Sequence, residues 1–228
     1  MKQPRANMHG LTLIELLVAL VICAMGVAGI YRLFIAQSRA YVVQDQVAEV
    51  QQNIRTAMEM IVRDVRMAGF DYDNSTSLVR IEDYKPRPPY LITGNSITVW
   101  FEHYRQGSPP VSEVHAVRYV LNGTKLERQL TVNGNPQPSE VLLENVTAFQ
   151  LLCGRDGRIG AEETQDGVVN DWVDCGTVNN NQDKIIAVRV TLTTRPEQTN
   201  PQDDRFREIS PRSLTSTVAL RNLSLRKL

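Results

Sequence analysis

The stretch "MHGLTLIELLVALVICAMGVAGIY", residues 8–31, is an almost unbroken apolar run. It contains one carboxylate, Glu15, and a glycine, Gly10, stands just before the run. The segment 11–30 holds about 20 residues, and at about 1.5 Å per residue it matches a hydrocarbon core of about 30 Å. The pattern therefore predicts a membrane-spanning helix. A carboxylate inside such a helix is unfavourable and normally has a partner, so Glu15 is a candidate functional residue.

The flanks of this run do not settle its orientation. Lys2 and Arg5 precede it, and Arg32 and Arg39 follow it. An ordinary secretory signal has a shorter apolar core that ends at a cleavage site of small residues, whereas this run continues well past its alanines. The simplest alternative is a membrane anchor that merely tolerates Glu15.

A cleavage between Gly10 and Leu11 would give Glu15 a partner. The new α-amino group would lie one helical turn from the carboxylate, and the ammonium of a neighbouring copy could neutralise it. The segment "G-LTLIE-LLVALVI" resembles the prepilin signature of type IV pilins and type II secretion pseudopilins. This resemblance implies that a prepilin peptidase cuts after Gly10 and methylates Leu11, and that Glu15 guides the subunit into a filament.

A helical pattern continues beyond the membrane segment. Glu59 and Arg63 form a favourable i,i+4 pair on the polar face, and Gly69 is a plausible C-cap before the loop "FDYDNSTS". Apolar residues recur on one face at steps of three and four: Val43, Val47, Val50, Ile54, Ala57, Met58, Ile61, Val65 and Ala68. The second half of the helix is therefore predicted to dock on a globular domain.

The rest of the chain is predicted to be mainly strands. Asn122-Gly123 is a type I′ hairpin signal, and Gly94-Asn95 indicates a second turn. The predicted strands are Leu78–Ile81, Tyr90–Thr93, Ser96–Tyr104, Glu113–Leu121, Lys125–Thr131, Val141–Leu152, Ile185–Thr194 and Leu214–Leu223. The predicted fold class is α+β, with a long N-terminal helix packed on an antiparallel sheet, and the resemblance to pilins implies that this fold is pilin-like. The expected divisions are a leader (1–10), a membrane and filament-core helix (11–40), an amphipathic helix (41–69) and a head (70–228).

The order of segments also resembles one family along nearly the whole chain. The segments "AMEMIVRDVRMAGFDY", "VRYVLNGTKLERQL", "EVLLENVTAFQLLC", "IIAVRVTLTTR" and "LTSTVALRNL" are similar to those of W-type minor pilins of type IV pili, and more loosely to those of the J-type minor pseudopilin of type II secretion. The segments "TSTVALRN" and "RDVRMAGF" favour the pilus. The resemblance implies several partners: prepilin peptidase, other minor and major pilins, the inner-membrane pilus assembly machinery, and the lipid bilayer before assembly. It also implies a periplasmic head that later reaches the pilus or cell surface.

No catalytic motif is present, which predicts a non-enzymatic protein without a cofactor. His103 and His115 lie in strand-like segments and are expected to be structural. Trp100, Phe101 and Tyr104 fit core or cross-strand positions better than a base-stacking platform. Since the formal net charge is zero, no nucleic-acid partner is expected.

The stretch between Cys153 and Cys175 is acidic and glycine-containing. The two cysteines are expected to form a disulfide if the head is exported, which leaves Cys23 unpaired in the membrane helix. Oxygen ligands on such a loop could hold Ca²⁺, with Asp156, Glu162 and Asp166 as candidates. Their spacing does not match an EF-hand, so a solvated acidic loop is the favoured interpretation.

Three hypotheses of function follow. The first is a minor pilin that takes part in type IV pilus assembly or initiation. The second is a minor pseudopilin of a type II secretion system. The third, of a different class, is an anchored periplasmic ligand-binding module, for which Gly10 and Glu15 would be dispensable.

Overall fold

The structure is a computed structural model that describes residues 12–71, 89–105, 111–158, 166–179, 183–196 and 210–224. The chain divides into two compact units, Met1–Gln46 and Val47–Leu228. The elements are α1 (Leu13–Arg66), β1 (Tyr90–Thr93), β2 (Ser96–Arg105), β3 (Val111–Asn122), β4 (Lys125–Val132), β5 (Asn135–Pro136), β6 (Glu140–Leu143), β7 (Val146–Arg158), β8 (Asp171–Asp174), a 3₁₀ turn (Cys175–Thr177), β9 (Asp183–Thr194), β10 (Arg212–Ala219) and α2 (Arg221–Ser224).

The apolar stripe on the second half of α1 is the face that the head buries. The buried members are those at the C-terminal end of the predicted stripe: Ile54, Ala57, Met58, Ile61, Val65 and Ala68. Glu59 and Arg63 on the opposite face are exposed. The predicted class, a long helix on antiparallel strands, is therefore confirmed.

Helix α1 ends as the sequence indicates. Residues 67–69 form a turn, and Gly69 has φ 71°, the left-handed conformation of a C-terminal cap. Its N–H donates to the carbonyl of Trp100 on β2 at 2.9 Å. The Asn222 amide donates to the carbonyl of Ala68 at 3.1 Å, so the end of the chain caps the end of the helix.

The described strands of the head form two antiparallel sheets, whereas the sequence predicted one. The first has six strands in the order β1-β2-β3-β4-β5, with β6 also paired to β4. The second has four strands in the order β10-β9-β7-β8. Helix α1 and both sheets contribute to a single hydrophobic core. A single sequence shows which segments are extended but does not show which strands pair.

The turn between β3 and β4 differs from its prediction. Asn122 pairs with Lys125, so the central residues are Gly123 and Thr124, and only Gly123 has positive φ. A type I′ turn needs positive φ at both central residues, so that assignment was wrong, although the hairpin is present. Asn133-Gly134, with φ 48° and 81°, meets the requirement between β4 and β5.

Several observed strand boundaries also differ from the predicted ones. The predicted strand Val141–Leu152 is two strands, β6 and β7, because Asn145 between them has φ 55°. The last predicted strand ends at Ala219 and is followed by the short helix α2. β5 and β8 were not predicted, and Leu78–Ile81 lies outside the described residues.

Two of the contacts between the sheets involve β1 and the turn that follows it. The buried Tyr90 hydroxyl on β1 accepts a hydrogen bond from the N–H of Ile185 on β9 at 3.1 Å. Gly94 in the β1–β2 turn lies against Gly176 in the 3₁₀ turn, where an added Cβ on Gly176 would come 3.3 Å from the Gly94 Cα. This approach holds the disulfide-bearing segment against the six-stranded sheet.

Candidate functional site

The first turn of α1 positions Glu15. Glu15 Oε2 accepts hydrogen bonds from the Thr12 N–H and the Thr12 hydroxyl, both at 3.1 Å. In return, the Glu15 N–H donates to Thr12 Oγ1 at 3.3 Å. This reciprocal arrangement is a capping box, in which a threonine and a glutamate three residues later satisfy each other's backbone N–H groups. The sequence interpretation missed it, although the T-x-x-E spacing is its signal.

The residues that follow Glu15 leave an apolar surface exposed. Among the described residues, α1 is the one helix long and apolar enough to cross a membrane, with a mean hydropathy of 2.6 in its best 18-residue window. None of that window is buried. Such a surface is unfavourable in water, so this part of α1 requires lipid or apolar neighbours. Gly10 and Leu11 lie outside the described residues.

A second cluster ties α1 to the six-stranded sheet within the head. Asp64 is buried on α1, and its Oδ2 accepts a hydrogen bond from the Tyr119 hydroxyl on β3 at 2.6 Å. Arg128 on β4 donates to the same oxygen through Nε at 3.1 Å and Nη2 at 3.0 Å. Arg63 Nε, which is largely exposed, donates to Oδ1 at 3.2 Å.

The pKa of Tyr119 reflects this environment. Burial raises the pKa of the phenol, and the hydrogen bond to Asp64 raises it further. Tyr119 therefore remains a hydrogen-bond donor throughout the physiological pH range. The carboxylate has both a cation and a neutral donor, which is what a buried charge requires.

The predicted disulfide is present in the structure. Cys153 on β7 and Cys175 in the 3₁₀ turn are bonded, with a Cα–Cα distance of 5.2 Å. Both are buried in the core, whereas Cys23 is unpaired and exposed on α1. The bond fixes the segment that contacts Gly94, and closing a loop of this length contributes about 3 kcal/mol.

Asp156, the first of the calcium candidates, already has partners within the protein. Asp156 is fully buried, and its Oδ2 lies 3.3 Å from the ammonium of Lys184, which is also buried. Its two oxygens accept the N–H groups of Asp166 and Gly167 at 3.2 and 3.1 Å. Asp156 is thus paired with an internal cation.

The side chain of Asp166 forms a local contact and is not directed to Asp156. The Asp166 Oδ1 accepts the Val168 N–H at 2.9 Å, a local turn. Glu162 lies outside the described residues. Within the described part of the chain, no three acidic, histidine or cysteine residues are grouped so that they could hold a metal ion.

The histidines and aromatic residues occupy strands β2 and β3. His103 and His115 stack with ring centroids 4.8 Å apart, and Phe101, a core residue, lies 5.7 Å from His115. His115 Nε2 is 3.5 Å from Glu113 Oε2. Burial lowers the pKa of His115, against the opposing effect of the neighbouring Glu113 carboxylate. Trp100 and Tyr104 are half-buried on β2.

Two family models match this chain, one at its N-terminus and one over most of the remaining sequence. Residues 5–31 match the prokaryotic N-terminal methylation motif, which marks the chain as a prepilin-type protein. Residues 33–201, well over half of the chain, match the family described as type II secretion system (T2SS), protein J. The chain belongs to that family, the J-type pseudopilins, whose members are structural subunits and not enzymes.

More distant similarity is limited. Among solved structures, the chain is similar to the type IV-like pilin TTHA1219 from Thermus thermophilus, with 12% identity and a TM-score of 0.46. That match covers 76% of this chain and 97% of the other. No curated protein sequence matches. The family match therefore supports the pseudopilin hypothesis better than the type IV pilus hypothesis.

Proposed function

We propose that the chain is a minor pseudopilin that takes part in assembling the short filament of a type II secretion system. The observation that carries this proposal is the conjunction of two matches on one chain: the methylation motif over 5–31 and the protein J family over 33–201. The long α1 with its exposed apolar half and its docked second half suits a subunit that is stored in a membrane and then packed among sister helices.

The N-terminal chemistry follows from the motif. Prepilin peptidase cleaves between Gly10 and Leu11 and methylates the new Leu11 amine. Glu15 then lies one turn into the helix, hydrogen-bonded to Thr12. In the filament, its carboxylate pairs with the Leu11 ammonium of a neighbouring subunit, since an unpaired charge in an apolar core is strongly unfavourable.

The proposal also includes the cellular location and the partners of the subunit. The subunit is anchored in the bacterial inner membrane by α1, with the head in the periplasm, where the Cys153–Cys175 bond forms under oxidising conditions. Its partners are prepilin peptidase, other pseudopilins and the inner-membrane secretion machinery. Because Glu15 is present, the subunit packs beneath a neighbour and not at the extreme tip.

A W-type minor pilin of a type IV pilus is the second candidate. The segments that favoured it, "RDVRMAGF" and "TSTVALRN", meet in the structure through the Asn222–Ala68 hydrogen bond. This contact stabilises the end of α1, and such a role suits a subunit of either filament. The two segments therefore no longer discriminate between pilus and secretion.

Deleting the gene in its host separates the two candidates. The pseudopilin proposal expects loss of extracellular enzyme activity, with intact surface pili, restored by the wild-type gene. Glu15→Ala should fail to restore secretion, while Glu49→Ala, which changes an exposed glutamate farther along α1, should restore it. Loss of pili with normal secretion would favour the type IV pilus, and full activity of Glu15→Ala would favour an anchored binding module.

A further inference from the structure

One face of the four-stranded sheet points away from the hydrophobic core. Cys153 on β7 and Val188 on β9 are core residues. Because successive residues of a strand point to opposite faces, the positions that follow them, Gly154 and Arg189, face outward. Trp172 on β8 lies directly opposite Gly154 in the β7–β8 ladder and therefore shares this face. We call it the outer face.

On the outer face, Arg189 reaches across β7 to Trp172. The guanidinium carbon lies 4.2 Å from the centre of the indole ring, a cation–π contact. Arg189 Nε donates a hydrogen bond to the hydroxyl of Thr217 on β10 at 3.4 Å. These two contacts hold the guanidinium by one flat side and by one nitrogen. Among the described residues, no acceptor is hydrogen-bonded to its two Nη groups.

Arg189 differs in its partners from the other arginines that are similarly buried. Among the described side chains, three arginines are half-buried. Arg128 Nη2 lies 3.0 Å from the carboxylate of Asp64, and Arg155 Nη2 lies 2.6 Å from that of Asp171. Arg189, the third, has no described carboxylate within ion-pair distance. Since a partly buried charge is normally paired with an opposite charge, Arg189 lacks the anion that the other two have.

Apolar groups lie beside this cation. Val169 packs over Gly154, where an added Cβ would come 3.0 Å from the valine side chain. The adjacent Val168 is 61% exposed. A tryptophan and an arginine next to exposed apolar groups are the residue types that contribute most of the binding free energy at protein interfaces.

We propose that Arg189, held against Trp172, is the anchor for a carboxylate of a different protein that docks on the outer face. A guanidinium binds a carboxylate through parallel N–H···O bonds, and stacking on an aromatic ring orients it for that contact. The anchor is formed by side chains on the face of the sheet, so it requires no pairing of main chains at an edge. The proposal goes beyond the secretion assignment and does not depend on which filament the subunit enters.

The charges of the outer face select this occupant. At the outward-facing positions of the described strands, the charged residues are Arg189 and Asp174. One cation beside one anion does not suit a polyanion, such as nucleic acid or an anionic lipid surface, which binds to clusters of cations. Asp174 Oδ1 already accepts the N–H of Gly176 at 2.7 Å, so the same face of a second copy offers no free carboxylate. A single acidic side chain on a different protein fits.

Zero-length cross-linking of the full chain in host membranes tests the anchor. Arg189→Lys keeps the cation and supplies an amine, which a carbodiimide couples to a carboxylate in contact with it. We expect a cross-linked product in which peptide masses show an amide between residue 189 and an aspartate or glutamate of a different protein. The matched control is Arg118→Lys, which changes an exposed arginine on β3 of the other sheet and should give no such product.

Two further arms test the cause of the contact. In the Arg189→Lys chain, adding Trp172→Leu should lower the yield of the product about threefold because the cation–π contact is lost, whereas Trp172→Phe should retain most of it. Replacing the identified partner carboxylate with lysine should abolish co-purification with the wild-type chain, and Arg189→Glu should restore it. Retention of the Cys153–Cys175 bond in each variant shows that the head is folded.

An amide at residue 189 together with rescue by the exchanged charges supports the proposal. It is overturned if no product forms, if Arg118→Lys gives the same product in equal yield, or if the exchanged charges fail to restore co-purification. An amide that joins residue 189 only to its own chain, or to a second copy of it, also overturns the assignment to a different protein.

Discussion

Thr12 and Glu15 hydrogen-bond each other in both directions at the start of α1, with Glu15 Oε2 3.1 Å from the Thr12 nitrogen and Thr12 Oγ1 3.3 Å from the Glu15 nitrogen. The carboxylate therefore has a partner within its own chain. This contact reduces the unfavourable free energy of placing Glu15 near a membrane before any neighbouring subunit contributes an ammonium.

The hydroxyl of Thr12 should be needed for this arrangement. Thr12→Val removes the acceptor of the Glu15 N–H and should weaken the first turn by about 1 kcal/mol, whereas Thr12→Ser should leave it unchanged. Amide hydrogen exchange of the Glu15 N–H, measured by NMR on the protein in micelles, should accelerate about fivefold in the valine variant only. Equal exchange rates in both variants would contradict the capping box.

Asp64 should dominate the contact between α1 and the six-stranded sheet. Asp64→Ala leaves Arg128 and Tyr119 without their buried partner and should lower the free energy of unfolding by about 4 kcal/mol. Tyr119→Phe removes one hydrogen bond to the carboxylate and should lower it by about 2 kcal/mol.

The measurement is denaturant unfolding of the full chain in detergent with the disulfide intact. Arg63→Ala serves as the control, because that side chain is largely exposed and its ion pair should contribute less than about 1 kcal/mol. An Asp64→Ala variant as stable as Arg63→Ala would show that the cluster does not hold the helix.

Because Lys184 pairs with Asp156, the stability of the head should not depend on calcium. The Lys184 ammonium neutralises the fully buried Asp156, so adding Ca²⁺ or EDTA should leave the melting temperature of the wild type unchanged. Lys184→Met should lower the free energy of unfolding by about 4 kcal/mol, since it leaves a buried charge unpaired. A rise in melting temperature with Ca²⁺ in the wild type would restore the calcium-site hypothesis.

His115 should make the head less stable in acid. Burial lowers its pKa in the folded state, so below about pH 6.5 the unfolded chain binds more protons at this position than the folded chain does. Its contribution to stability is complete above the unfolded pKa and decreases as the pH falls. His115→Gln should therefore reduce the loss of stability between pH 7.5 and 5.5, as measured by urea unfolding. If the pH dependence of stability is unchanged in this variant, His115 is not the source of the acid sensitivity.

Most of the correct predictions about the fold came from local sequence patterns. The 3.6-residue period located the buried stripe through Ile61 and Val65, and Gly69 marked the helix end. The pairing of strands into two sheets was not predictable, because it depends on contacts between distant residues such as Tyr90 and Ile185. Burial of Asp64 was also missed, since a charged residue in a helical pattern is normally exposed.

The N-terminal site could be inferred in part. The residue types around Gly10 and Glu15 indicated processing, and the T-x-x-E spacing held a capping signal that was not used. The partner of Asp156 could not be inferred, because Lys184 is distant in sequence and reaches it only through the pairing of β7 with β9.

The mass of the mature N-terminus, measured on protein extracted from the host membrane, tests the central claim most directly. The account predicts a chain that begins at Leu11 and carries one added methyl group, and Gly10→Ala should leave the leader attached. Glu15→Ala should still be cleaved, which separates processing from assembly. An intact Met1, or cleavage at any other position in the wild type, would contradict the assignment of this chain as a prepilin-type subunit.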